Sequence, residues 1–242
     1  MQKYLYCITK DIEPNNLNIA GIEGASVHII EWQNLLCVAS DTDFNDKELD
    51  KESALAHEKV LEEVMRHSPI VPIAFGHITK SEDEVKSKLL EAHKDKLEEH
   101  LTYFQGKIEL SLKAFWLDLN PVFQHIAQTS DEIQRIKARG KITRDEQMRA
   151  GEIAAKLLGK KREKTEYDIA EFFKDITIEY KKCNLFGEQM ITNLAFLINN
   201  NDLSEFDSRV NKYAEKLGDN VKVKYTGPVP PYNFVDLKIN LS

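Results

Sequence analysis

Residues 107–116, KIELSLKAFW, alternate without a break: Ile108, Leu110, Leu112, Ala114 and Trp116 fall on one side, and Lys107, Glu109, Ser111 and Lys113 on the other. Only a strand, whose side chains point to opposite faces in turn, separates these two sets. A strand with one apolar face needs that face covered, so the chain requires a sheet layered against helices. The helical material follows at once. Residues 120–180 are helical in period and composition, with breaks near Ser130 and Gly140 and a long last helix from about Thr143.

Beyond that stretch, residues 184–186 and 190–198 read as a hairpin turned at Gly187 and Glu188. Residues 204–217 form a helix with Phe206, Val210, Tyr213 and Leu217 on one stripe, and Gly218 can end it in the left-handed conformation. Val221, Val223 and Tyr225 alternate with Lys222, Lys224 and Thr226 in a closing strand. The order is β-α-β-β-α-β, that of a ferredoxin-like sandwich with an oversized first crossover. The expected C-terminal domain is therefore 106–226, with its helical crossover at 119–180, and a Pro/aromatic tail at 227–242 folds back on the protein.

The first half has a different rhythm. Residues 3–9, 26–31 and 35–40 are rich in β-branched and aromatic side chains, and a tight turn near Gln33 and Asn34 pairs the last two. Residues 13–24, with Pro14, form a loop; 51–67 is a helix with Ala54, Leu61, Val64 and Met65 on one face, stopped by Pro69; a strand follows at 70–73. In 81–101 the run SEDE sets a capping Ser81 three residues before Glu84, so that each can satisfy the other's orphan amide. Val85, Leu89, His93, Leu97 and Leu101 then recur every fourth residue, which predicts one amphipathic helix. The N-terminal domain, 1–105, is an irregular α+β unit, and the fold class is α+β with two domains.

Composition narrows the function. A chain of 242 residues, 42% hydrophobic and 30% charged, can bury a core. Its net charge of −7 leaves no basic face for phosphate, so nucleic acid is not expected as a partner. The local run KKREK, 160–164, reads as a solvated helical face. No apolar run reaches the roughly 18 residues of a membrane span, and the opening lacks the apolar core and cleavage site of a secretory leader. Cys7, Cys37 and Cys183 are odd in number and far apart, which points to a reducing cytoplasm rather than a disulfide framework or a zinc knuckle.

A search for catalytic chemistry returns little. The glycines form neither phosphate-loop pattern. His57 and Glu58 open like a zinc-protease helix, but Leu61 stands where the second histidine belongs. His57 and His93 lie on apolar stripes, the setting of a core histidine bonded to a backbone carbonyl. Cys7 and Cys37 lie in apolar strands as buried thiols, and the paired carboxylates of 62–63, 83–84 and 98–99 sit on charged helical turns. No cofactor, no metal and no enzyme activity is expected.

Two passages are left over: SPIVPIAFGHI, 68–78, and YTGPVPPYNFVDL, 225–237. With the opening YLYCI, the strand GKIELSLKAFW and NLAFL at 193–197, they resemble the gas vesicle protein family GvpF/GvpL, in order along nearly the whole chain. Pro72, Phe75, Gly76, Gly227, Pro228, Pro230, Pro231, Tyr232 and Phe234 match. Cys7, Ala74 and Val229 depart from the glycine, arginine and tryptophan frequent there, so no charge-based role is carried over to the Phe75 loop. The resemblance implies a two-domain α+β accessory protein, cytoplasmic and associated with gas vesicles. Its implied partner is the apolar shell protein GvpA, kept from aggregating during nucleation and assembly, with other accessory gas vesicle proteins as further candidates.

The residues to which that role points are Phe75, Gly76, Pro228, Pro230, Pro231, Tyr232 and Phe234. Two uses of them stay open: contact with the shell protein through stiff, aromatic, uncharged loops, or turns that lay Phe234 and its neighbours on the protein's own core. The alternative function is a small-molecule-binding regulatory module on a ferredoxin-like sheet, or an unrecognised hydrolase.

Overall fold

A computed structural model describes residues 1–13, 17–43 and 50–237, an α+β protein. Residues 14–16 of the expected loop lie outside the described residues. The chain divides into two units, Met1–Glu109 with Pro228–Ser242, and Leu110–Gly227.

In the first unit, β1 (Gln2–Thr9) is flanked on both sides. It pairs antiparallel with β3 (Leu35–Thr42) along one edge, and with β4 (Ile70–Pro72) and β5 (Ile78–Thr79) along the other. β2 (Val27–Trp32) completes the order β2-β3-β1-β4 through a hairpin whose turn sets Gln33 at φ 53°. Tyr4 to Ile8 are wholly buried, which is why YLYCI runs apolar without alternating. Helix α1 (Lys51–Met65) starts at Asp50, whose carboxylate accepts the Ser53 N–H at 2.8 Å. It buries His57, Val60, Leu61 and Val64.

The single helix expected over 81–101 is three pieces. Helix α2 (Glu82–Glu84) runs into a π-helical segment, Val85–Glu91, then breaks at His93 (φ −120°, ψ 15°) before α3 (Lys94–Phe104). The spacing explains the departure. On an α-helix, residues four apart drift by about 40° per step. Val85, Leu89, Leu97 and Leu101 are nevertheless all wholly buried, and the wider π turn takes up the drift. The capping is displaced as well: Ser81 Oγ accepts the Glu84 N–H at 3.3 Å, but the Glu84 carboxylate takes the N–H of Lys80, at 2.9 Å, not that of Ser81.

In the second unit the sheet order is β7-β8-β6-β9, with β6 (Lys107–Trp116) and β8 (Met190–Asn199) central and β7 (Glu179–Lys182) and β9 (Val221–Val229) at the edges. Helices α4 (Asn120–Thr129), α5 (Asp131–Lys137) and α6 (Arg144–Phe173) fill the first crossover, and α7 (Leu203–Leu217) the second. The element order is the expected one. Ala114, Trp116, Val122, Ile126, Ile133, Leu158 and Ile191 form one core cluster. Phe173 stacks on Phe206 with ring centroids 4.5 Å apart, and both flank Phe196.

Two boundaries differ from expectation. The partner of β8 is 179–182, not 184–186: Glu179 faces Leu197 and Lys182 faces Leu194, and Gly187 turns a longer connection. Strand β9 runs on through Gly227 and Pro228 to Val229, where an edge strand tolerates a proline. Among the described residues no helix is long and apolar enough to cross a membrane.

Candidate functional site

The two unexplained passages meet in the first unit, around one imidazole. Strand β1 turns Tyr4 and Tyr6 inward, α1 supplies His57 and Glu58, and the turn after β4 carries Phe75 and Gly76. After β9, the buried Pro230 and Pro231 lead into a 3-10 turn, Tyr232–Phe234. Gly76 sits at φ 90°, a left-handed conformation that suits glycine, and this aims its N–H at Tyr4.

The hydrogen bonds form one directed relay. Gly76 N–H donates to Tyr4 Oη (3.1 Å); Tyr4 O–H donates to His57 Nδ1 (3.0 Å); His57 Nε2–H donates to Tyr232 Oη (3.2 Å); Tyr232 O–H donates to Glu58 Oε1 (3.2 Å). These directions are those of the neutral tautomer with its proton on Nε2, and a ring N–H also meets the Ile73 carbonyl. The Phe75 ring stands edge-on to His57, centroids 5.7 Å apart, and the Tyr6 ring lies 5.5 Å away. Tyr6 has its own partners: its hydroxyl meets Ser40 Oγ at 2.9 Å and accepts the Ile22 N–H at 2.9 Å. Gly21 passes so close that any β-carbon there would collide with the Tyr6 hydroxyl.

Burial sets the electrostatics. It holds the His57 pKa down at about 4, against the opposing Ile73 carbonyl. Burial pushes the Tyr4 and Tyr232 hydroxyls well above the usual phenol range, with the Glu58 charge adding to both. Glu58 is itself raised, first by burial. At neutral pH the site therefore holds a neutral imidazole bonded between two neutral phenols. The thiols of Cys7 and Cys37 are buried and pushed up as well. Among the described residues no group of three or more His, Cys, Asp or Glu side chains could hold a metal ion.

The closing segment is pinned at two further points. Asn233 donates its N–H to Glu109 Oε2 (2.9 Å) and its Nδ2–H to Oε1 (2.5 Å), and the Asp236 N–H reaches His100 Nε2 (3.2 Å). Phe234 is 5% exposed. Of the residues singled out by sequence, Phe75, Gly76 and Tyr232 converge on the relay, Pro230, Pro231 and Phe234 are buried on either side of Tyr232 in the chain, and Pro228 stands exposed on β9. Tyr4, His57, Glu58 and Glu109 complete the arrangement, and sequence reasoning did not assign them to it. The signal that could have found Tyr4 was the opening YLYCI.

The profile of the family described as gas vesicle synthesis protein GvpL/GvpF matches residues 2–236. The chain belongs to the GvpL/GvpF family. Gas vesicle protein F of Dolichospermum flosaquae is 29% identical over 243 residues, covering 97% of each chain. Gas vesicle protein F of Haloferax mediterranei is 28% identical over 234 residues, 95% of this chain and 90% of that one. The crystal structure of GvpF from Microcystis aeruginosa covers 98% of this chain and 99% of its own, with a TM-score of 0.85 at 24% identity, a likeness of fold. Membership in GvpL/GvpF places the chain among the proteins of gas vesicle formation.

Proposed function

We propose that this protein is an accessory gas vesicle protein, not an enzyme, that binds the shell protein GvpA and prevents its aggregation during nucleation and assembly. It acts in the cytoplasm in association with gas vesicles, with other accessory gas vesicle proteins as further partners. The observation that carries this reading is the full-length match to GvpL/GvpF. The physical need is plain: a shell subunit with apolar surface and unpaired strand edges is an aggregation hazard until it is assembled. The relay supports a holding role for the two aromatic passages. Its groups are spent on one another, and Phe234 faces inward.

The test is co-expression with GvpA. GvpA is expected in the soluble fraction and in the same chromatographic peak as this chain. Equal precipitation of GvpA with and without the chain overturns the reading.

A further inference from the structure

Strand β7 is an outer strand of the second sheet. Its register sets Glu179 opposite Leu197 and Lys181 opposite Ala195, and Cys183, in the same register, donates its N–H to the Asn193 carbonyl at 2.8 Å. Residues of an antiparallel pair alternate between those bonded across the ladder and those whose N–H and C=O point away. With Cys183 and Lys181 turned to β8, Tyr180 and Lys182 direct their main-chain groups outward. No main-chain hydrogen bond meets those groups among the described residues.

Large apolar side chains are exposed on the strand and next to it in sequence: Ile178 is 40% exposed and Tyr180 42%, and in the connection to β8 Leu185 is 44% and Phe186 70% exposed. Lysines commonly blunt an edge strand, but here both are neutralised locally. Lys182 pairs with Glu166 of α6, and Lys181 lies 3.8 Å from Glu179. The opposite edge differs, since β9 exposes Lys222, Lys224, Thr226 and Pro228.

We propose that the β7 edge is a docking site for an extended, uncharged, apolar segment of another polypeptide, which joins the sheet as an added strand. Outward N–H and C=O groups recurring at every second residue, roughly 7 Å apart, are matched by another main chain in extended form. The spent charges and exposed rings select an apolar, uncharged one. A second copy of β7 is the competing occupant that the test separates: registers centred on Lys181 or Lys182 set lysine opposite lysine, and the one centred on Tyr180 sets Glu179 opposite Lys181. On the reading of the chain as a GvpA-binding protein, the occupant is a strand of GvpA.

Proline at position 180 removes only an outward N–H, and an edge strand accepts it. Tyr180→Pro, a Leu185→Ser/Phe186→Ser variant and a Lys222→Glu control on β9 would each be co-expressed with GvpA, with thermal unfolding of each purified chain as the check on folding. Soluble GvpA is expected to fall roughly tenfold with either β7-edge variant and to stay at the wild-type level with the control. If Tyr180→Pro fails to fold, the Leu185/Phe186 variant carries the test alone. Wild-type levels of soluble GvpA with the edge variants overturn the docking site and leave the functional reading standing. Failure of the wild type to hold GvpA in solution overturns both. A wild-type dimer in light scattering that Tyr180→Pro dissociates gives the edge to a second copy and overturns the proposal.

Discussion

His57 shows how burial turns a titratable side chain into a structural one. Its imidazole is fully buried between two phenols and carries a pKa of about 4 against an ordinary 6.5. Above pH 6.5 it is neutral folded or unfolded. As pH falls from 6.5 towards 4, the unfolded chain takes up a proton that the fold refuses, so stability is lost across that window. The loss approaches roughly 3 kcal/mol at its lower end. Glu58, held above the usual carboxylate range, works in the opposite sense, gaining stability as it protonates. His57→Gln separates the two: melting temperature measured from pH 7 to pH 4.5 is expected to lose its downward slope in the variant. An unchanged slope would place the titration elsewhere. The individual motif residues were legible in the sequence because prolines, glycine and aromatics stand out among lysines and glutamates. The relay was not. Its partners are separated by 53 and 175 positions, and no local period joins them.

At the level of elements, strictly periodic segments were read with their bounds, as β6 was, and Thr143 does cap α6. What misled was periodicity of the wrong length. A four-residue repeat looks like an α-helix, yet kept in register over Val85 to Leu101 it requires a turn wider than α. Inserting an alanine after the exposed Ser87 should rotate Leu97, Leu101 and Phe104 by about 100° relative to Val85. The expected cost is about 2–5 kcal/mol, the range for removing large core side chains, read as a lower urea midpoint. An unchanged midpoint would mean that the wider turn is not what aligns the row. Strand β7 was missed for the opposite reason. Its four residues contain none that is buried, so no apolar face marks them.

At the scale of the molecule, the order of elements and a closing segment that folds back could be read from the sequence, but not the unit to which it returns, because nothing local records a contact across 175 positions. Pro228–Ser242 belongs with Met1–Glu109, so truncation after Gly227 removes the Tyr232 and Asn233 pins and the buried Phe234 from that unit alone. Amide hydrogen exchange is expected to quicken in β1 and α1 while Leu110–Gly227 keeps its protection. Uniform loss across both units would contradict that assignment.

The discontinuity has a consequence for biosynthesis. A ribosome translating this message finishes Leu110–Gly227 before it reaches the tyrosine that closes over His57, so the earlier-born half of the nascent polypeptide waits on a later-made piece. Maturation then runs against the usual N-to-C sequence of multidomain chains, and a stalled or prematurely terminated product would emerge with its second half complete and its first half open.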